Sequence, residues 1–303
     1  MMGLISKLFR SLSYRLTKSS WKRLAIENVY EGYHGNWVEL KEIGLVLKEG
    51  DLSFLLRGYQ YAKNIKQRIN GQFKIIDSSL YLIIEKIEIR LNSTEELFIV
   101  NEIYVNKCYE FHSGKESVVM DIGMNVGLAS LYFASRDDVV KVYSYEPFKP
   151  TFDLAQINLA LNNEIESKVK LLNVGLGDKD KTLEVNYSND YKGQVGIHGI
   201  ELVKSKVTEV LKEEIVIKNA SNHLNNILLE HRGKAVIVKM DCEGAEFEII
   251  PNWAENGLLN RVDLIMMEWH DQPEQLIVLL EKAGFKSIRV NHSENIGMIY
   301  AIQ

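Results

Sequence analysis

Val118-Val119-Met120-Asp121-Ile122-Gly123-Met124-Asn125-Val126-Gly127-Leu128-Ala129-Ser130 is the stretch that decides the fold of this 303-residue chain. An apolar run, Val118 to Met120, ends at an acid, Asp121. Two glycines follow four positions apart, Gly123 and Gly127, and a helix-like stretch begins at Leu128. This is the order strand, tight turn, helix, the repeating unit of an α/β protein. Glycine has no Cβ, so such a turn brings backbone N–H groups close to a ligand.

The residue two positions before the first glycine sets what the turn suits. A dinucleotide-binding turn reads Gly-x-Gly-x-x-Gly, with glycines making room for pyrophosphate. Here the first of those positions is Asp121, whose carboxylate repels pyrophosphate and suits a cation such as the amine of an amino-acid ligand. The turn favours S-adenosylmethionine over NAD. A second β-rich run, Val139 to Tyr145, ends at Glu146-Pro147. An acid at the tip of the next strand is the usual ligand of ribose hydroxyls in a nucleotide-binding α/β unit.

Two further runs end in the same way. Ala235 to Met240 is apolar except for Lys239, as expected for a strand buried on both faces, and it runs into Asp241-Cys242-Glu243-Gly244-Ala245-Glu246. Val262 to Met267 runs into Glu268-Trp269-His270. Ligands of open α/β sheets bind outside the carboxyl ends of the strands, so four polar strand ends describe one site.

These segments resemble the FkbM-type S-adenosylmethionine-dependent methyltransferases. The resemblance is carried by Asn101 to Val105 with Tyr109, Asp121 to Gly127, Tyr145-Glu146-Pro147, Gly177-Asp178, Lys239 to Glu246, Glu268-Trp269-His270 and Ala283-Gly284-Phe285. It covers about residues 95–303. The departures are mild: Met124 stands where a small residue is commoner, and Cys242 where an aliphatic is usual. The resemblance implies a Rossmann-like class I methyltransferase fold, a seven-stranded mostly parallel sheet with one antiparallel strand, and acceptors drawn from sugars, glycans or secondary metabolites.

The organisation of the chain fits that fold class. Strands are predicted near 118–122, 140–145, 168–173, 235–240, 262–268, 285–290 and 297–302, with helices in most gaps. The last two are joined too briefly for a crossover and must pair antiparallel. Residues 174–234 exceed one helix. Thr182 to Val185 and Ile215 to Ile217 read as extra strands, and Tyr187 to Gly199 as a loop over the site. An α+β extension precedes the domain, with the boundary at 92/93. Within it, residues 1–30 read as helical and Asp51 to Ile69 as one helix capped by Asp51. Phe73 to Leu91 reads as a hairpin, and Ser93 with Glu96 as a capping box.

Composition narrows the partners. At 46% hydrophobic and 25% charged, the chain has globular composition. Cys108 and Cys242 are the two cysteines, in no Cys-x-x-Cys pair. That argues against a zinc site or disulfide framework and fits a reducing cytoplasm. The net charge is −5, yet residues 1–26 hold six basic side chains and no acid, so the remainder is more acidic still. An acidic domain is a poor partner for nucleic acid. Leu4, Ile5, Leu8, Leu12 and Leu16 recur at helical spacing. The first 26 residues therefore read either as a helix packed on the protein or as a basic amphipathic helix on an anionic membrane surface, peripheral to the cytoplasmic face. They lack the pattern of a secretory signal.

Methyl transfer from a sulfonium needs alignment of the acceptor, and a hydroxyl acceptor also needs a base. His270 is the first candidate because it titrates near neutrality, and Asp241 the second; Glu243 and Glu268 complete the acidic set, with Glu268 placed to orient His270. Asp121, Gly123, Asn125 and Gly127 are assigned to the methionine part, with Asp241 as a further contact. Glu146 is assigned to the ribose, and Asn173 and Val174 to the adenine slot. Asp241, Glu268 and His270 are also hard ligands suited to Mg²⁺ or Mn²⁺, a less favoured reading. Lys239 reads as structural, its amine at the rim of the sheet. The competing function is a non-catalytic S-adenosylmethionine-binding module that assembles with a partner through residues 1–94. The sequence leaves the oligomeric state open.

Overall fold

The computed structural model describes residues 14, 17–187, 211–270, 273–291 and 295–303, with Tyr187, Leu211 and His270 described by backbone alone. The stretch Leu4 to Leu12, Leu16 and the loop from 188 to Gly199 lie outside the described residues. The chain divides into two compact units, Met1–Cys108 and Tyr109–Gln303.

The first unit opens with helix α1 (Ser20–Asn28), capped by the Ser19 side chain, which accepts from Lys22 N. Strands β1 (Trp37–Leu40) and β2 (Leu45–Lys48) form an antiparallel hairpin. The predicted helix over 51–69 is divided into α2 (Ser53–Arg57) and α3 (Tyr59–Ile69) at Gly58. A Cβ on Gly58 would lie 2.6 Å from Leu97 Cδ1, so the break is where another helix packs closest. Asp51 does not cap the helix. Its carboxylate accepts from Lys48 N and closes the turn after β2 instead. The predicted hairpin over 73–91 is a three-stranded antiparallel meander of β3 (Gln72–Ile76), β4 (Ser79–Ile84) and β5 (Ile87–Leu91).

Helix α4 (Thr94–Val100) begins as its sequence predicts. Ser93 Oγ accepts from Glu96 N, and the Glu96 carboxylate reaches back to Asn92 N at 2.6 Å. A π-helical turn, Asn101–Val105, follows. Thr94 Oγ1 donates to Phe54 O, and Leu97 packs on Gly58. These contacts tie α4 to the first unit, so the compact division falls at 108/109 rather than at 92/93.

The second unit is built on a seven-stranded sheet of β6 (Ser117–Ile122), β7 (Val139–Tyr145), β8 (Val169–Leu172), β12 (Ala235–Met240), β13 (Leu264–His270), β14 (Lys286–Asn291) and β15 (Ile296–Ile302). Their spatial order is β14-β15-β13-β12-β6-β7-β8. Only β15 runs against its neighbours β13 and β14. Between β6 and β8 lie α5 (Leu128–Ala134), α6 (Lys149–Ala160) and α7 (Asn163–Glu166). A smaller sheet holds β10 (Lys181–Tyr187) and β11 (Leu211–Asn219), the extra strands expected within 174–234, together with β9 (Gly175–Gly177), which was not expected. Helices α8 (Ala220–Glu230), α9 (Glu246–Glu255) and α10 (Glu274–Lys282) complete the unit.

Strand alternation sorts the large sheet into two faces. Val118, Met120 and Ile122 join Val236, Val238, Met240, Met267 and Trp269 in one apolar cluster with Leu224, Ile249, Trp253 and Leu280 of the helices. The opposite face of the two central strands carries Asp121 and Lys239. Register places these two side by side, and Ser144 of β7 next to Asp121. Three polar residues thus line up across three adjacent strands of the sheet.

The small sheet is anchored by a polar network. Glu248 of α9 accepts two hydrogen bonds from Lys181 Nζ, at 2.7 and 2.8 Å. Asn219 and Asn252 both donate to the Asp178 carbonyl. A Cβ at Gly177 would lie 2.6 Å from the Glu248 carboxylate. The Gly177-Asp178 pair is therefore a docking point between strand and helix.

Candidate functional site

The glycine turn begins where β6 ends. Gly123 has φ +76°, Asn125 +52° and Gly127 +86°. A Cβ on Gly123 would lie 1.7 Å from the Asp241 carbonyl oxygen, so the ends of β6 and β12 meet at a distance only glycine allows. Gly127 meets Ala155 of α6, where a Cβ would sit at 3.3 Å. Asn125 occupies the left-handed region that asparagine tolerates better than most residues.

The amides of the turn are used within the protein. Gly123 N and Met124 N both donate to the Tyr145 carbonyl at the end of β7, each at 3.0 Å. Asn125 N donates to Glu146 Oε2 at 3.1 Å, and Gly127 N to the Met124 carbonyl. The first three of these N–H groups clamp the turn onto the end of β7, and the fourth closes the turn on itself.

Glu146 stands at the tip of β7 and is 6% exposed. Its other oxygen accepts from Phe148 N at 3.0 Å. Burial pushes its pKa up to about 8, against the lowering effect of the Phe148 and Asn125 amides. An ionised carboxylate has roughly four acceptor positions, and two backbone amides occupy two of them. The remainder match the two hydroxyls of a ribose diol. On donor and acceptor chemistry, Glu146 fits the ribose role.

Asp121 is wholly buried. Its Oδ2 accepts from Ser130 Oγ of α5 at 2.6 Å, and Ser130 Oγ lies 2.8 Å from Ser144 Oγ. Its Oδ1 faces the Lys239 ammonium at 3.2 Å without an aligned hydrogen bond. The carboxylate suits a cation, as its position predicts, and the structure supplies that cation internally. Lys239 is correspondingly misplaced by the sequence reading: its side chain is 4% exposed, beneath the turn and away from the sheet rim. Lys239 Nζ also donates to the Gly123 carbonyl at 2.6 Å and lies 3.9 Å from Asp241 Oδ2. Burial lowers the pKa of this amine, but the carboxylates of Asp121 and Asp241 outweigh it and hold the pKa above that of an ordinary lysine.

The remaining candidates follow the strand ends. Asp241 comes directly after β12, its side chain 32% exposed, with Asp241 N bonded to the Ile122 carbonyl. Glu243 and Gly244 are consecutive left-handed residues, φ +52° and +100°. Gly244 N donates to the carboxylate of Glu246, which is fully buried at the start of α9. The Cys242 Sγ lies 3.6 Å from the same Glu246 oxygen, and its pKa is raised by burial and by the nearby acids. Register sets Met240 beside Met267, which places Glu268 alongside Asp241. The backbone of His270 ends β13, paired with Ile296. Its side chain lies outside the described residues.

Asn173 donates its side-chain amide to the carbonyls of Glu146 and Pro147, at 2.9 and 3.1 Å. It therefore fixes the Glu146 corner. Val174 packs against the apolar cluster. Among the described residues no group of three or more His, Cys, Asp or Glu side chains is arranged to hold a metal ion. No helix among them is long and apolar enough to cross a membrane.

Sequence reasoning missed Ser130, Ser144 and the buried position of the Lys239 amine. The signal was present: each is a lone polar residue inside an apolar run.

Residues 121–287, more than half of the chain, match the sequence model of the Methyltransferase FkbM domain. The chain belongs to the FkbM methyltransferase family. The methyltransferase sdnD of Sordaria araneosa is 26% identical over 222 residues, 66% of this chain and 85% of the relative. The 31-O-demethyl-FK506 methyltransferase FkbM of Streptomyces tacrolimicus is 25% identical over 224 residues, 64% and 84%. Among solved structures, the Methyltransferase FkbM from Methylobacillus flagellatus KT aligns with a TM-score of 0.44 at 14% identity. That alignment covers 82% of this chain and 59% of the solved one. The family places this chain among methyltransferases, on the class I sheet described above.

Proposed function

We propose that this FkbM-family methyltransferase uses S-adenosylmethionine to methylate a hydroxyl group of a sugar, a glycan or a related small molecule. The observation that carries the cofactor assignment is Glu146: a buried strand-end acid tied by Asn125 N to the glycine turn, with acceptor positions left for a diol. The oxygen acceptor is supported by the name of one relative, a 31-O-demethyl-FK506 methyltransferase. The acidic strand ends and net charge of −5 favour small or neutral acceptors over polyanions.

When bound, the cofactor supplies a sulfonium-activated methyl group. The chain supplies position and proton management. Glu146 receives the ribose, and the turn from Gly123 to Gly127 backs the methionine part. Asp241, the half-exposed acid at the end of β12, lies on the acceptor side of that turn. His270 takes the acceptor proton, oriented by Glu268, with Asp241 and Glu243 as the alternatives. Alignment of acceptor and methyl can supply up to ~7–11 kcal/mol, and a general base ~10²–10⁴-fold.

Mass spectrometry of products from labelled cofactor and a panel of nucleotide sugars, oligosaccharides and hydroxylated metabolites tests the acceptor class. A product labelled on nitrogen or carbon would overturn the oxygen assignment. Activity lost in excess EDTA and restored by Mg²⁺ would add the metal to the site. Co-sedimentation with anionic liposomes, with and without residues 1–20, tests surface binding by the N-terminal segment.

A further inference from the structure

We propose that Lys239 is a positioning residue for methyl transfer: its buried ammonium locks the Gly123 carbonyl and the strand-end acids Asp121 and Asp241 into one rigid corner, against which the cofactor is held. The inference rests on the cofactor reading above and deepens it.

A lysine inside a strand buried on both faces carries a desolvation cost of several kcal/mol. Neutralising Asp121 does not by itself account for it. An apolar residue at 239 with a neutral one at 121 would fill the same space, and such replacements are often neutral or stabilising. What an apolar pair cannot supply is a donor to the Gly123 carbonyl, which Lys239 Nζ reaches at 2.6 Å. Gly123 is thereby held on both sides. Its N–H is bonded to β7 through the Tyr145 carbonyl, and its C=O to β12 through Lys239. Gly123 has no Cβ to limit its dihedral freedom, so these bonds, with the one from Met124 N to the same Tyr145 carbonyl, hold the two peptides that flank it.

The surroundings keep the ammonium charged and close. Asp121 Oδ1 lies at 3.2 Å, Asp241 Oδ2 at 3.9 Å, and the Tyr109 ring centroid at 5.9 Å, within reach of a cation–π contact. One ammonium between two carboxylates leaves one negative charge over. Asp121 is closed from solvent and Asp241 is not, so the excess charge is presented at the open strand end, beside the turn.

The test compares Lys239→Met with the double variant Asp121→Asn/Lys239→Met. It reads thermal stability, hydrogen exchange of the amides from Gly123 to Gly127, and calorimetric affinity for S-adenosylhomocysteine. The single variant, which leaves Asp121 buried without its cation, is expected to lose stability. The double variant should regain it, yet keep amide exchange in the turn about tenfold faster than wild type. Its affinity should stay weaker by up to about tenfold, the scale of the one hydrogen bond that is lost. A double variant that regains wild-type exchange and affinity along with stability would overturn the proposal, leaving Lys239 as a counter-charge for Asp121. If neither variant folds, Lys239→Arg carries the test. It keeps the charge but replaces the compact donor with a planar fork. Exchange and S-adenosylhomocysteine affinity that change together, or are both retained because the guanidinium still donates to the Gly123 carbonyl, support the proposal, and a change in one without the other overturns it. The exchange readout needs no cofactor, so a wild-type protein that binds no S-adenosylhomocysteine sinks the cofactor reading and leaves the exchange data to decide on Lys239.

Discussion

Two turns in this molecule follow the same local pattern and are held in different ways. One follows β6, from Asp121 to Gly127; the other follows β12, from Asp241 to Glu246. Each starts from an acid at a strand end, passes through left-handed residues and enters a helix. The first is pinned from outside, by the Tyr145 carbonyl, the Glu146 carboxylate and the Lys239 ammonium, all from neighbouring strands. The second is held from within, by Glu246 accepting from Gly244 N two residues earlier. The first acid is buried and paired, and the second is open. A turn pinned by two neighbouring strands is a rigid wall for a ligand, while the second turn keeps its acid partly open to solvent, 3.9 Å from Lys239 Nζ.

The comparison breaks most severely at Gly123. Gly123→Ala forces a Cβ to within 1.7 Å of the Asp241 carbonyl and should cost at least ~3 kcal/mol, read by urea or thermal unfolding. A stability loss under ~1 kcal/mol would show that the two strand ends separate easily and that the wall is not rigid.

Glu146→Ala removes both the outside pin on Asn125 and the diol acceptor. Affinity for S-adenosylmethionine should fall on the order of 10²-fold by calorimetry, as expected for hydrogen bonds to a charged group. Unchanged affinity would remove Glu146 from the ribose role.

The raised pKa of Glu146, about 8 in the ligand-free protein, gives the third prediction. Hydroxyls that donate to the carboxylate favour its ionised form, so binding lowers the pKa and releases a proton. Affinity should therefore rise with pH up to about 8 and level off above it, by up to ~10-fold per unit. Calorimetry in buffers of different ionisation enthalpy reads the proton directly. Glu146→Gln should abolish the release. In the absence of ligand the sign reverses: the folded state binds this proton more tightly than the unfolded chain. The group's contribution to stability thus falls as pH rises from the ordinary carboxylate range toward 8.

The smallest effect belongs to the second turn. Glu243 holds φ +52° in a turn closed by its own helix. Glu243→Gly removes the left-handed strain, adds backbone freedom and deletes the side chain with its contacts, terms of opposite sign, so stability should shift by less than ~1 kcal/mol. A larger loss would mean that Glu243 pins this turn from outside after all.

Much of the fold was legible in particular residues. The apolar runs ending at Asp121, Glu146, Asp241 and Glu268 matched four strands, and the short link after Asn291 matched an antiparallel pair. Ser93 capped its helix by accepting from Glu96 N, while the Glu96 carboxylate took Asn92 N, one residue before the cap. Misses fell where another contact, local or distant, overrode the predicted one. Asp51 closed a turn because Lys48 N lay within reach, and Leu97 split a helix at Gly58.

The sequence by itself determined which residues end the strands, where glycine is needed, and the acidic character of the site, because periodicity and residue chemistry are local. The tertiary structure alone decided which charges meet. Asp121 and Lys239 are 118 positions apart in the chain, and only the adjacency of β6 and β12 sets them 3.2 Å apart. Register across a parallel sheet is a property of the packed strands, and it gave the acid at 121 a buried lysine as its partner.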